Sequence, residues 1–307
     1  MQEKTTAALA KALAAEQLPF VQQEVLAGHT TFKIGGPAAF WCAPRNAAEL
    51  RRILQHCRAQ GVRVYLLGNG SNTLFDDAGF DGAVVDMRGL NEMKASDADT
   101  DLVRITAGAG QTLGRLCGKA QTLGLTGLEF ACGIPGTVGG AVYMNAGAYG
   151  GELKDVVAEV TYLDENGDFC TASGDALQFG YRHSVFQQRE CCIVEAVLAL
   201  VPGRESEIRA AMEDYMNRRR EKQPLEYGSA GSTFKRPAGN YASALVDRCG
   251  LKGLAVGGAE VSQKHAGFII NRGGATAAEV LQLIAEVQRT VREKTGYELE
   301  CEVKYVE

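Results

Sequence analysis

The chain has 307 residues, 46% hydrophobic and 22% charged, enough to bury a full core and to form two or three domains. Its net charge is −5 with no basic block, which argues against a nucleic-acid surface. No apolar run approaches the roughly 18 residues of a membrane span, and Lys11 and Glu16 interrupt the N-terminal apolar positions, so no signal peptide is expected. The nine Cys (42, 57, 117, 132, 170, 191, 192, 249, 301) form no C-x-x-C pair and read as buried, reduced thiols of a cytoplasmic protein. The four His (29, 56, 183, 265) lie far apart without H-E-x-x-H spacing, so no metal site is expected.

A leading helix carries Leu9, Leu13 and Leu18 on one face. A turn-rich loop, His29 to Pro37, follows. Asn46 is placed to cap a helix running to about Gln60, with Gly61 as its stop. Val62–Leu67 reads as a buried strand ending in Gly68-Asn69-Gly70-Ser71-Asn72, and α/β folds place ligands at such strand ends. Ala83–Met87 and Leu102–Ala107 read as strands and Gln111–Leu123 as a helix. Val156–Leu163 and Phe169–Thr171 form a hairpin around Asn166-Gly167, and Cys191–Val201 is a strong strand. After Pro202-Gly203-Arg204 the texture changes to helix (Glu205 to about Arg220), a second helix (Tyr241–Arg248) and a long third (Thr276–Thr295). The last segment, Tyr297–Val306, alternates as a strand: Tyr297, Leu299, Cys301, Val303 and Tyr305 on one face, Glu298, Glu300, Glu302 and Lys304 on the other.

Between Gly127 and Gly151, eight of the 25 residues are Gly. Glycine weakens helix and strand interiors, so its concentration marks backbone that must come close to something. That something is either a phosphate-bearing ligand cradled by amide N–H groups or the chain itself in tight turns. Gly108-Ala-Gly110-Gln-Thr-Leu-Gly114 follows a strand and opens a helix, but it is one residue off the dinucleotide fingerprint. Separate Gly loops at 34–36, 68–72 and 133–147 point instead to a long cofactor touched by several loops, as FAD would be.

The segments Leu67-Gly-Asn-Gly-Ser-Asn72, Glu129-Phe-Ala-Cys-Gly-Ile-Pro-Gly-Thr-Val-Gly-Gly-Ala141, Tyr181-Arg-His-Ser184, Gly231-Ser-Thr-Phe-Lys-Arg-Pro237 and Leu299-Glu-Cys-Glu-Val303 occur in one order across the whole chain. Together they resemble the UDP-N-acetylenolpyruvoylglucosamine reductase (MurB) family. The resemblance implies an α+β fold: a two-lobed FAD-binding domain of the vanillyl-alcohol-oxidase type (lobes 1–82 and 83–203), a smaller α+β substrate-binding domain (204–293), and a C-terminal strand (294–307) returning to the FAD region. It also implies non-covalent FAD, NADPH as co-substrate, UDP-N-acetylglucosamine enolpyruvate as substrate, and a role in peptidoglycan precursor synthesis. No obligate protein partner, nucleic acid or membrane insertion is expected. Distant relatives attach flavin through a His in the early Gly loops, and residues 68–72 contain none.

By the same resemblance the FAD wall is Ile34, Gly35, Gly36, Leu67, Gly68, Asn69, Gly70, Ser71, Asn72, Gly133, Ile134, Pro135, Gly136, Thr137, Gly139, Gly140, Ala141, Asn145 and Gly147. Arg182, Ser232 and Glu302 are the implied catalytic residues. A guanidinium is permanently charged and grips a carboxylate through two parallel hydrogen bonds, which suits Arg182 to the enolpyruvyl carboxylate. Ser232 is the implied proton donor, with Lys235 or a water chain as possible help. Only the L-E-x-E-V match selects Glu302 over Glu298 and Glu300. Tyr181, Lys222, Arg236 and His265 fall at implied substrate-binding positions. Arg182 and Ser232 are only 50 residues apart, so the chain resembles the family's shorter variant without the Tyr-bearing insertion; Arg236 and His265 are expected to fill part of that role. The rivals are another flavin oxidoreductase acting on a hydroxy acid or sugar, and a dinucleotide or nucleotide-sugar binding module without turnover. The missing attachment His and the S-T-F-K-R-P and C-terminal Glu motifs argue against the first, and the presence of Arg182, Ser232 and Glu302 together argues against the second.

Overall fold

Leu9 and Leu13, one helical turn apart, give the first helix of the computed structural model, α1 (Glu3–Ala15), its buried stripe. The structure describes residues 3–96 and 102–307, and these divide into two units. The first holds the described residues up to Val21, Trp41–Asn69, and the described part of Gly82–Arg219. The second holds Gln22–Phe40, Gly70–Asp81 and Arg220–Glu307.

In the first unit, α2 (Ala47–Ala59) begins where the Asn46 side chain accepts the Glu49 N–H at 3.0 Å. It stops at Gly61, whose φ of +63° is the left-handed position that glycine adopts most readily. The Val64–Leu67 strand pairs in parallel with Phe80–Asp86, in register Val64↔Ala83 to Leu67↔Asp86. An antiparallel sheet runs in the order Phe169–Ser173, Val157–Leu163, Cys192–Pro202, Val103–Gly108, Met93–Ala95; Leu125–Thr126 pairs with the far end of Cys192–Pro202. The Phe169 hairpin is closed by Asp164, whose carboxylate accepts the N–H groups of Asn166 and Asp168, and Gly167 takes the left-handed position at φ +80°. Helix α3 (Leu113–Thr122), capped by Thr112, buries Leu113, Leu116, Cys117 and Ala120. The short α4 (Val138–Tyr143) forms inside the glycine-rich stretch. Most of α5 (Glu205–Lys222) belongs to this unit: Ile208 is buried, and Tyr215 stacks on Tyr149 with centroids 4.5 Å apart.

The second unit is built on α6 (Ala242–Arg248) and α7 (Ala277–Thr295). Val280, Leu283, Val287 and Val291 of α7, Leu245 and Val246 of α6, and Phe32, Ile34 and Leu74 share one core. A four-stranded sheet, ordered Gly228–Ser229, Ile269–Asn271, Ala259–Val261, Ala255–Val256, lies in this unit. Helix α7 opens with a capping box between Thr276 and Glu279 and ends at Gly296, φ +75°. Its first turn has a second cap from a distant segment: Asp77 accepts the Ala277 N–H at 2.7 Å and the Ala278 N–H at 3.1 Å.

The C-terminal segment is less regular than its alternation suggests. Only Lys304–Val306 is strand, paired in parallel with Thr73–Phe75. Upstream, a single antiparallel bridge joins Cys301 to Phe234. The change of partner between Cys301 and Lys304 breaks the two-residue period, so Leu299, Val303 and Val306 are buried while Tyr305 is 38% exposed and donates its hydroxyl to Asp76.

Because Asp77 satisfies two N–H groups at the start of α7, Asp77→Ala is expected to cost about 1–2 kcal/mol. Urea or thermal unfolding measures this, and Asp77→Asn is expected to lose less.

Candidate functional site

In the first unit the parallel strand delivers Leu67, Gly68 and Asn69 onto the glycine-rich stretch. Asn69 Nδ2 donates to the Pro135 carbonyl at 2.6 Å. Gly68 faces Thr137 so closely that a Cβ there would run into Thr137 Oγ1. Thr137 precedes α4 yet does not cap it; its hydroxyl is buried and has no hydrogen-bond partner. An orphaned buried hydroxyl costs about 1–3 kcal/mol, so this one is suited to a ligand. Gly139 lies on Ala109, its N–H donating to the Ala109 carbonyl at 2.8 Å, and a Cβ on Gly133 would meet the Arg219 stem at 2.9 Å. The polar atoms of Asn145 are committed inside the protein: Nδ2 donates to Glu152 Oε2 and to the Gly180 carbonyl, both at 2.9 Å, and Oδ1 accepts the Lys154 N–H. Any contact of Asn145 with a cofactor is left to its backbone.

Arg182 lies in this unit, in a tight turn closed by paired backbone bonds between Gly180 and His183 (3.0 and 3.1 Å). Its φ of +55° is the left-handed region that glycine normally occupies. Its Nη2 donates to the Gly147 carbonyl at 3.3 Å, and its guanidinium lies 5.2 Å from the Tyr181 ring centroid. Gln187 Nε2 holds the Arg182 carbonyl at 3.0 Å, and Ser184 Oγ donates to the Tyr143 carbonyl at 2.8 Å. Burial opposes the ionisation of Glu152. Hydrogen bonds from Lys154 and Asn145 and the charges of Lys154 and Arg182 outweigh it, holding this carboxyl below the usual range.

In the second unit, Ile34 is buried and Gly35 has φ +138°. A Cβ on Gly36 would strike the Asp77 carbonyl, and one on Gly70 (φ +59°) would sit 2.5 Å from the His29 carbonyl. Ser71 and Asn72 are half-buried. Asn72 Nδ2 donates to the Glu302 carbonyl at 3.0 Å, and the Asn72 carbonyl accepts the Lys304 N–H at 2.9 Å.

Ser232 and Glu302 are brought onto neighbouring segments of this unit. The Glu302 N–H donates to the Thr233 carbonyl and the Lys235 N–H to the Glu300 carbonyl, both at 2.8 Å. Thr233, inside the same motif but with no sequence signal of its own, fastens the loop: its N–H donates to the Gly267 carbonyl and its Oγ1 accepts from the Ile269 N–H. Ser232, next to this anchor, is exposed; Glu302 is half-buried where Glu298 and Glu300 are exposed. Lys235 Nζ is ion-paired to Glu300 Oε1 at 2.5 Å.

Lys222 ends α5 and is exposed, and Arg236 lies 4.6 Å over the Tyr241 ring. His265 packs edge-on against Phe268, and its Nδ1 accepts the Gly267 N–H at 3.1 Å. This network assigns the remaining ring proton to Nε2. Burial pushes the imidazole below its ordinary pKa, a backbone hydrogen bond opposes this, and the charge of Lys252 adds to the lowering. Among the described residues, no group of three or more His, Cys, Asp or Glu could hold a metal ion, and no helix is long and apolar enough to cross a membrane.

The sequence model described as "FAD binding domain" matches residues 38–173, and that described as "UDP-N-acetylenolpyruvoylglucosamine reductase, C-terminal domain" matches 223–306. The chain is 46% identical over 283 residues to a UDP-N-acetylenolpyruvoylglucosamine reductase of Caldanaerobacter subterraneus subsp. tengcongensis, covering 92% of each protein. It is 48% identical over 283 residues to one from Syntrophomonas wolfei, covering 92% of this chain and 93% of that protein. Its fold is similar to the crystal structure of UDP-N-acetylenolpyruvylglucosamine reductase (MurB) from Thermus caldophilus, with a TM-score of 0.78, 35% identity, and coverage of 94% of this chain and 99% of that one.

The unpartnered Thr137 hydroxyl beside bare Gly68 fits an extended polar cofactor such as FAD lying on the backbone. Gly68→Ala forces Thr137 aside, and it is expected to lower the flavin-to-protein ratio of the purified protein and raise the Kd for FAD at least about tenfold. Absorbance and flavin fluorescence titration measure both.

Proposed function

Because the chain belongs to the UDP-N-acetylenolpyruvoylglucosamine reductase family, we infer that it is an FAD-dependent oxidoreductase. It uses NADPH to reduce the enolpyruvyl group of UDP-N-acetylglucosamine enolpyruvate, giving UDP-N-acetylmuramate for peptidoglycan synthesis. FAD, when bound, would supply the two-electron redox chemistry that links NADPH to the enolpyruvyl ether. The residues that would hold it are the glycine loops at 34–36, 68–72 and 133–147, with Thr137 offering a hydroxyl.

The remaining work belongs to the chain's own groups. Delivery of hydride to the methylene carbon builds negative charge on the neighbouring carbon and its carboxylate. Arg182 is assigned to bind that carboxylate and stabilise the growing charge, as a preorganised cation best can. Ser232 is assigned to hold the proton, at Oγ, that the carbon receives. Glu302 is assigned as its partner in proton handling. The observation that carries this pairing is the Glu302 N–H bond to the Thr233 carbonyl, which ties the backbone of Glu302 to the residue next to Ser232. Lys222 and Arg236 supply cations for the pyrophosphate, Tyr181 a polar ring, and His265 an Nε2–H donor. The division of the chain into FAD lobes 1–82 and 83–203, substrate domain 204–293 and returning strand 294–307 is part of the same proposal, as is a cytoplasmic site of action.

Under anaerobic conditions NADPH is expected to bleach the flavin, and UDP-N-acetylglucosamine enolpyruvate to restore its colour. Failure of either step overturns the reading. In Ser232→Ala the bleaching is expected to persist while reoxidation by the enolpyruvyl substrate falls by about 10²–10⁴; equal loss in both halves removes the proton role. His265→Ala is expected to raise the KM for the UDP-sugar with little change in kcat, and an unchanged KM removes His265 from the substrate site.

A further inference from the structure

We propose that Glu152, acting through Asn145, is a positioning residue for Arg182. The inference rests on the assignment of Arg182 to the substrate carboxylate and extends it to residues that touch neither substrate nor cofactor.

The Arg182 turn holds a non-glycine residue at φ +55°, a conformation that persists only where its surroundings over-determine it. The structure contains that over-determination. Asn145 is completely buried, itself at φ +42°, and its side-chain amide bonds in three directions. One N–H grips the Gly180 carbonyl at the base of the Arg182 turn; the other grips Glu152 Oε2; the side-chain carbonyl accepts from the Lys154 backbone. Glu152 is the fixed end of this strap. It lies opposite Gly147 in a two-residue ladder, and the Gly147 carbonyl is the acceptor of Arg182 Nη2. It also forms a reciprocal cap with Asp155 and an ion pair with Lys154 Nζ at 3.0 Å. The backbone of the arginine turn and the carbonyl that orients its guanidinium are thus both referred to one carboxylate.

Without the Glu152 acceptor, a buried Asn145 N–H loses its partner. The amide is then free to rotate, the Gly180 carbonyl keeps only its bond from the His183 N–H, and the turn can relax from its left-handed residue. The guanidinium moves by a fraction of its length while its charge remains, so substrate still binds but meets the wrong geometry. Misplacement by about 1 Å can cost on the order of 10²-fold in rate.

The test uses the flavin-loaded enzyme and stopped-flow measurement of each half-reaction. In Glu152→Ala, reduction by NADPH is expected within about twofold of the unaltered protein, while the saturating rate of reoxidation by UDP-N-acetylglucosamine enolpyruvate falls about 10- to 100-fold and its KM changes less than about threefold. Glu152→Gln keeps a carbonyl acceptor for Asn145 and is expected to restore reoxidation to within about threefold. Glu152→Ser serves in place of Glu152→Ala should the latter not retain flavin. The proposal is overturned if Glu152→Ala reoxidises at the unaltered rate, if both half-reactions slow together, or if Glu152→Gln is no faster than Glu152→Ala. Arg182→Ala separates the levels: if it is reoxidised normally, the assignment of Arg182 fails and this inference with it, whereas an unaltered protein that substrate cannot reoxidise fails the proposed function itself.

Discussion

Close approach of backbone to backbone is the constraint on which the site loops depend. A Cβ on Gly36 would strike the Asp77 carbonyl, one on Gly79 the Pro37 carbonyl, and one on Gly110 the Met87 carbonyl. These glycines are therefore fixed by the chain's own packing before any ligand is considered. The same economy of side chains leaves a strip of bare peptide at Gly68, with the Thr137 hydroxyl unanswered beside it. In the glycine-rich segment itself a Cβ on Gly139 would meet Ala109 and one on Gly147 the Gly151 carbonyl, so close packing of the chain on itself accounts for these two glycines.

Much of this was legible because the signals are local. Asn46 and Gly61 bracket α2, Thr276 and Glu279 form the box that opens α7, and Asp164 with Gly167 closes the hairpin. The helix stripes of α1 and α7 follow from period alone. Signals failed where the determinant lay elsewhere in the chain. The alternation of Tyr297–Val306 is intact in sequence, but the segment passes from Phe234 to Thr73–Phe75 as its partner, and no local pattern encodes a change of partner. The second cap on α7 comes from Asp77, 200 residues away.

The catalytic candidates divide in the same way. Nothing in the pattern E-L-E-C-E separates Glu302 from Glu298 and Glu300. The distinction is made by Asn72 and Thr233, which hold Glu302 by its own carbonyl and N–H while the side chains of the other two face solvent. Lys235, the nearest cation to Ser232 in its motif, is ion-paired to Glu300, and that part-exposed pair contributes little stability by itself. The same two residues are also joined through their backbones, in the register that sets Glu302 beside Thr233.

Arg182 illustrates why motif residues outnumber reacting groups. An arginine in a left-handed turn costs of order 1–3 kcal/mol of backbone strain, and an extended position would present the same guanidinium without that cost. What the turn supplies is direction: it points the residue's carbonyl to Gln187 and its guanidinium toward the Gly147 carbonyl, so that few rotamers remain. A flexible arginine would lose that rotamer freedom on meeting the carboxylate, at roughly the same energetic scale as the strain. Asn145 and Gln187 fix the backbone of its turn through the Gly180 and Arg182 carbonyls, and the Gly147 carbonyl orients its guanidinium beforehand. The strain is then borne in the folded protein, where buried hydrogen bonds offset it, rather than in the reaction, where it would add to the barrier.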